Sequence, residues 1–218
     1  MNRQFWKSIW AEGDTGFHQL SINAHLKNFW PTLDLAAGAR VLVPLCGASE
    51  DMQWLVQQGH RVIGVELAQE AIDAFCTRRH ETVIRDRLPN FVRYRQGAVT
   101  LLQGDFFHLH PKDVAHVACV YDRAALVALP EPARHRYAFH MAQLLRPGAQ
   151  LLLVAREQPA DRRSPPFSVT QPHLDALFGV NFHIDCLHRH ERDDGVVEPV
   201  YRLTRKAPVV RSIYRAHG

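Results

Sequence analysis

RVLVPLCGASEDMQWLVQQGHRVIGVEL, residues 40–67, is the stretch that decides the fold. Two runs of aliphatic and β-branched residues, RVLVPL (40–45) and RVIGVEL (61–67), flank SEDMQWLVQQG, which has a plausible N-cap in Ser49 and ends at Gly59. Neither run alternates between apolar and polar residues. A strand that is apolar throughout is one covered on both faces, as in a parallel sheet with helices on either side. Strand, helix and strand in this order make a crossover unit of an α/β protein.

The same alternation continues outward. AQEAIDAFCTRRH places Ala71, Ile72 and Phe75 at helical spacing, VTLLQGD (99–105), VACVYD (117–122) and QLLLVAR (150–156) read as further buried strands, and residues 132–146 form a helix stopped by Pro147-Gly148. The predicted order is β-α-β-α-β-β-α-β: a doubly wound, mostly parallel α/β sheet of Rossmann-like type. Before it, FWKSIWAEG and QLSINAHLKNFW are amphipathic stretches joined by the turn GDTGFH, and residues 1–30 are expected to form a helical cover. The Pro-rich loop EQPADRRSPPFSVTQP (157–172) is a second covering segment. In HIDCLHRHERDDGVVEPVYRLTRK, Asp194-Gly195 between partly apolar runs predicts a C-terminal antiparallel hairpin. The expectation is a single domain over 1–218, with the α/β core at 39–205 and a tail at 206–218.

Composition narrows the function classes. A length of 218 residues with 46% hydrophobic and 22% charged side chains suits one filled globular core rather than a disordered chain. No apolar run approaches the roughly 18 residues that span a bilayer, and the opening MNRQFWKSIWAEGD has charges where a signal peptide needs an apolar stretch, so a cytoplasmic protein with no membrane partner is expected. Cys46, Cys76, Cys119 and Cys186 are widely spaced without a CxxC pair, which suggests neither zinc nor a disulfide framework. The net charge of +4 and the basic stretch RDRLPNFVRYR (85–95) come without a nucleic-acid recognition motif, so this stretch is read as a solvated connecting segment and no nucleic-acid partner is expected. His108/His110 and His183/His188/His190 lack metal-site spacing, and no metal is expected.

In an open α/β sheet the ligand binds outside the carboxyl ends of the strands, at the point where the strand order reverses. The first strand ends in PLCGAS, where Gly47, Ala48 and Ser49 are small enough to let a ligand approach the backbone. The second ends in GVEL, placing Glu66 where an acidic side chain in nucleotide-binding folds accepts hydrogen bonds from both ribose hydroxyls. The third ends in GDFF: Asp105 can accept from an adenine amino group with Phe106 packed on the ring, or serve simply as a turn former after Gly104. The fourth ends in YDRAALVAL, where Asp122 and Arg123 emerge from an apolar strand and require polar company.

Together, FWKSIWAEGDTGFHQ, VLVPLCG with DMQWL, GHRVIGVEL, GDFF, YDRAALVAL and SPPFSV resemble the successive blocks of the thiopurine S-methyltransferases, in the same order and over nearly the whole chain. The resemblance implies a class I S-adenosyl-L-methionine-dependent methyltransferase, with S-adenosyl-L-homocysteine as product. It implies cofactor binding by Trp10 with Trp6 close by, Leu45, Gly47, Glu66, Asp105, Phe106 and Arg123, the last near the methionine end. Phe17 matches an aromatic on the acceptor side, completed by His18 and Gln19, and Phe167 of SPPF is an aromatic contact to the acceptor or to the core. Arg123 and Asp122 are the expected catalytic pair, stabilising charge and orientation without an obligatory general base. The expected acceptor is a small thiol or chalcogen species, and the expected state a monomer.

The chain departs from the family at Ala48, where a lysine is usual, at Phe75-Cys76 in place of a Phe pair, and at Arg156-Glu157 in place of an acidic-aromatic pair. These departures bear on acceptor preference more than on the cofactor. Three rivals share some features: halide and thiol methyltransferases of the same fold, a nicotinamide-dependent oxidoreductase, and a non-catalytic S-adenosylmethionine-binding protein. The single glycine of the turn is poor for a dinucleotide pyrophosphate. SPPF also resembles the (D/N/S)PP(Y/F) element of nucleic-acid amino-methyltransferases, but it follows the fifth strand rather than the fourth.

Overall fold

The computed structural model describes residues 3–13, 19, 21–158 and 164–208. Their order is α1 (Arg3–Glu12), α2 (Ala24–Phe29), β1 (Arg40–Pro44), α3 (Asp51–Gln57), β2 (Arg61–Glu66), α4 (Gln69–Thr77), β3 (Ile84–Arg87), β4 (Val92–Gln96), β5 (Val99–Gln103), β6 (Val117–Arg123), α5 (Glu131–Leu144), β7 (Gln150–Val154), α6 (Gln171–Phe178), β8 (Phe182–His188) and β9 (Val200–Arg205). Among the described residues no helix is long and apolar enough to cross a membrane.

One sheet carries the strands in the order β3-β4-β5-β2-β1-β6-β7-β9-β8. Its centre, β5-β2-β1-β6-β7, is parallel throughout. The chain winds from β1 toward β5 and then crosses to β6, so the order reverses between β1 and β6. The five central strands fall where their apolar runs predict them. The two faces of the sheet bury separate clusters: Leu42, Val120, Leu151 and Leu153 with Tyr137 and Met141 of α5 and Phe178 of α6 on one side, and Val41, Val43, Cys119 and Tyr121 with Met52, Leu55, Ile72 and Phe75 of α3 and α4 on the other. Apolar burial on both faces is why these strands do not alternate.

Two elements differ from the sequence expectation. RDRLPNFVRYR is a β-hairpin rather than a connecting segment: β3 and β4 pair antiparallel and extend the sheet beyond β5. Tyr94 and Gln96 are buried while Arg95 is exposed, and Arg93 forks onto Asp86, its cross-strand neighbour. Such pairs stabilise antiparallel strands, and arginines on an edge strand discourage further pairing. The helix α6 also lies in what reads as loop and strand-rich tail, entered through Pro172 in its first turn. The predicted C-terminal hairpin is present as β8 and β9, with Gly195 at φ +74 in the turn and β9 inserted antiparallel between β7 and β8.

The N-terminal segment packs on the α3/α4 face. Asn23 caps α2 through its side chain, while its own N–H donates to Asp51 Oδ1 at 2.8 Å. Trp30 Nε1 donates to His60 Nε2 at 3.0 Å, and Leu26, Trp30 and Leu33 are buried. This half of the predicted cover is therefore part of the core.

Candidate active site

The carboxyl ends of β1 and β6, which flank the reversal of strand order, both carry backbone strain. Leu45 follows β1 with φ +48 and Ala124 follows β6 with φ +73. Left-handed backbone at non-glycine residues is costly and persists where surrounding structure enforces it, often at functional sites. Gly47 follows at φ +53, and a Cβ added there would come 2.9 Å from Cζ2 of Trp10. The absence of a side chain lets the indole of α1 lie against the turn. Gly64 in β2 is likewise required, since a Cβ would meet Leu101, Cys46 and Met52 at 2.7–2.9 Å.

Glu66 is the anchor of this turn. Its Oε2 accepts from the Gly47 N–H at 2.9 Å, and its Oε1 from Leu67 and Ala68 at 2.7 and 2.8 Å. Only 7% of the residue is exposed. Burial pushes its carboxyl pKa up, and the bonds from Ala68, Gly47 and Leu67 pull against that shift. A carboxylate offers about four lone pairs. Three are engaged by backbone, which leaves acceptor capacity on the Gly47 side for a hydroxyl. A small-residue turn, a carboxylate at its lip and an indole over it fit a nucleoside better than a bare phosphate, because the fixed negative charge disfavours the latter.

The end of β6 separates the two expected catalytic residues. Asp122 is fully buried: its Oδ1 accepts from Ala125 and Leu126 N–H at 3.1 and 3.2 Å, and its Oδ2 from the Tyr137 hydroxyl at 2.7 Å. The expectation that it acts with Arg123 as a catalytic pair does not match this placement. Successive strand residues point to opposite faces, so Asp122 enters the α5 side with Val120 while Arg123 shares the face of Tyr121. Asp122 thus shapes the turn containing Ala124. Arg123 is half-buried and makes no side-chain hydrogen bond or ion pair among the described residues. A side chain at the reversal point with no such partner among the described residues suits an anionic group.

Burial also moves Asp122 from an ordinary 3.8 to about 6, against the bonds from Tyr137, Leu126 and Ala125. A carboxyl raised on folding contributes stability that is fully present below about pH 4 and lost as pH rises through about 6; a shift of this size corresponds to roughly 3 kcal/mol. Asp122→Asn can keep both N–H bonds on Oδ1 and donate to Tyr137. Urea unfolding at about pH 4 and about pH 7.5 should show the variant gaining relative to wild type at the higher pH, by up to roughly 3 kcal/mol; equal differences at the two values would contradict this linkage.

The remaining predicted residues are placed as follows. Asp105 accepts from the Phe107 N–H at 2.9 Å and caps the short turn 106–108, which is one of the two roles expected of it. Phe106 is 4% exposed and packs on Tyr137 at 5.2 Å and edge-on to His140 at 5.3 Å, so its ring belongs to the core rather than to an open face. Trp6 lies on α1 in an edge contact with Phe5. Phe167 donates its N–H to Val127 O at 2.7 Å, in the short turn 126–128 that follows β6. Phe17 and His18 lie outside the described residues. Two residues that sequence reasoning passed over support the site: Asp51, which joins Asn23 to the Tyr121 hydroxyl (2.9 Å), and Tyr137, which holds Asp122. Neither stood out in the sequence, because Asp51 opens α3 as an ordinary first-turn acid and Tyr137 lies among the many polar residues of α5. Among the described residues no group of three or more His, Cys, Asp or Glu is placed to hold a metal ion.

The family model described as Thiopurine S-methyltransferase (TPMT) matches residues 1–209. The thiopurine S-methyltransferase of Azotobacter vinelandii is 40% identical, with 94% of this chain and 100% of that protein covered. That of Pseudomonas fluorescens strain SBW25 is 39% identical with the same coverage, and the probable thiopurine S-methyltransferase of Yarrowia lipolytica is 34% identical over 93% of this chain and 98% of its own. Among solved structures, the 1,6-didemethyltoxoflavin-N1-methyltransferase of Burkholderia thailandensis, bound to 1,6-didemethyltoxoflavin and S-adenosylhomocysteine, has a TM-score of 0.68 at 19% identity, covering 94% of this chain and 87% of that one. A methyltransferase from Methanosarcina mazei has a TM-score of 0.65 at 18% identity, covering 87% and 100%. At these identities the likeness is one of fold.

Proposed function

Since the chain belongs to the thiopurine S-methyltransferase family, we propose that it transfers the methyl group of S-adenosylmethionine to the sulfur of a thiopurine. The observation that carries this reading is Glu66 fastened to the Gly47 turn at the reversal of strand order. Glu66 accepts from the ribose diol, Leu45 and Gly47 present backbone, Trp10 and Trp6 close the cofactor from α1, Asp105 and the turn around Phe106 border the adenine, and Arg123 attracts the methionine carboxylate or the acceptor. When bound, S-adenosylmethionine would supply a sulfonium methyl whose carbon a sulfur lone pair of the acceptor attacks, the bond to the cofactor sulfur breaking to leave S-adenosylhomocysteine.

The protein's part is alignment and exclusion of water, which can account for roughly 7–11 kcal/mol of the barrier. A thiolate needs no proton removed, so Arg123 serves by charge and orientation, and Asp122 by fixing the strand end from within the core. Phe167 borders the acceptor. The same demands admit other small soft nucleophiles, including aromatic thiols and selenium or tellurium species. Labelled S-adenosylmethionine offered with a thiopurine, an aromatic thiol, selenite, tellurite and iodide tests the assignment. Label is expected in the thiopurine product. Binding of S-adenosylhomocysteine without label in any acceptor would instead mark a non-catalytic binding protein.

A further inference from the structure

Arg134 sits where a guanidinium is electrostatically unwelcome. It lies in the first turns of α5, near the positive end of the helix dipole, and is only 5% exposed. No carboxylate pairs with it among the described residues. Its Nη2 is buried without a hydrogen-bond partner among the described residues. Burial pulls its pKa down, with Glu131 opposing weakly.

What the side chain does achieve is a bridge. Nε donates to Leu129 O at 2.8 Å, in the loop after β6, and Nη1 to Ser168 O at 3.0 Å, in the SPPF loop. The guanidinium carbon lies 5.7 Å from the centre of the Phe167 ring. The same loop is stitched at its base by Val169 N–H to Arg156 O at 2.8 Å and by Gln158 N–H to Ser168 Oγ at 3.3 Å. A rigid planar fork can satisfy two carbonyls from different segments while facing a ring; an ammonium cannot hold that geometry.

We infer that Arg134 is a positioning residue that holds Phe167 against the turn 126–128 after β6 and thereby sets the acceptor side of the site. The inference rests on the proposed placement of Phe167 at the acceptor. Arg134→Lys and Arg134→Met are each expected to lower kcat/KM for a thiopurine at least tenfold, while S-adenosylhomocysteine affinity stays within about twofold of wild type. Phe167→Leu should lower kcat/KM as well, and Arg134→Met should add little to it, because both changes remove one arrangement. Wild-type turnover in Arg134→Lys, multiplicative losses in the double variant, or an equal loss of cofactor affinity would each overturn the inference.

A second readout needs no turnover. In full-length Phe167→Trp protein, acrylamide quenching in excess of that from the four native tryptophans, read from the Phe167 protein with and without Arg134→Lys, should rise when Arg134→Lys is added. Unchanged quenching overturns the inference even if the wild-type chain proves not to methylate thiopurines, an outcome that bears on the proposed function alone.

Discussion

Glu66→Gln is expected to weaken S-adenosylhomocysteine binding by at least about 100-fold, or roughly 2.7 kcal/mol. The carboxylate accepts three backbone N–H bonds, two on one oxygen and one on the other. An amide has one accepting oxygen. Either its NH2 group confronts the Gly47 N–H, freeing the turn from β2, or it confronts those of Leu67 and Ala68. Each buried N–H left unpaired costs about 1–3 kcal/mol, and bonds to an ionised group are the stronger kind. The loss falls on the fold and the site together, since the turn that Glu66 fastens is the one expected to meet the cofactor. Calorimetric titration, paired with a melting curve, measures both parts; affinity within about fivefold of wild type would remove Glu66 from the site.

Arg123→Ala carries the opposite signature. The side chain makes no hydrogen bond or ion pair among the described residues, so truncation should leave unfolding free energy within about 0.5 kcal/mol of wild type. Its effect should appear in turnover, with kcat/KM for a thiopurine falling at least about 30-fold, near 2 kcal/mol of transition-state stabilisation. Arg123→Lys should recover part of this, because charge survives while the planar fork does not. A fall of less than about threefold, under 1 kcal/mol, would show that the charge at the end of β6 does not assist transfer. Its neighbour Asp122, sunk among Tyr137, Ala125 and Leu126, should instead report in stability and its pH dependence.

This contrast between adjacent residues shows how far the sequence could be read. The parallel centre was legible because its strands are apolar on both faces and are punctuated by Gly59 and Pro147-Gly148. The hairpin β3-β4 was obscured by Arg85, Arg87, Arg93 and Arg95, whose charges hide the inward positions Tyr94 and Gln96. Asp122 and Arg123 were read as one charged pair, although strand alternation already sends them to opposite faces. Glu66 was legible as a strand-end acid. Its threefold fastening to the backbone was not, since those bonds depend on how the turns at Gly47 and Ala68 approach one another in space. Arg134 gave no signal, since nothing in the sequence around it shows that it is buried, and only the path of the SPPF loop makes it a bridge.

The most direct measurement is an experimental structure of the chain with S-adenosylhomocysteine bound. The ribose should lie within hydrogen-bonding distance of Glu66, above the Gly47 turn and under Trp10, with the adenine beside Asp105 and the homocysteine sulfur directed toward Arg123 and Phe167. A ligand seated away from the β1/β6 reversal, or a ribose that does not reach Glu66, would contradict the account.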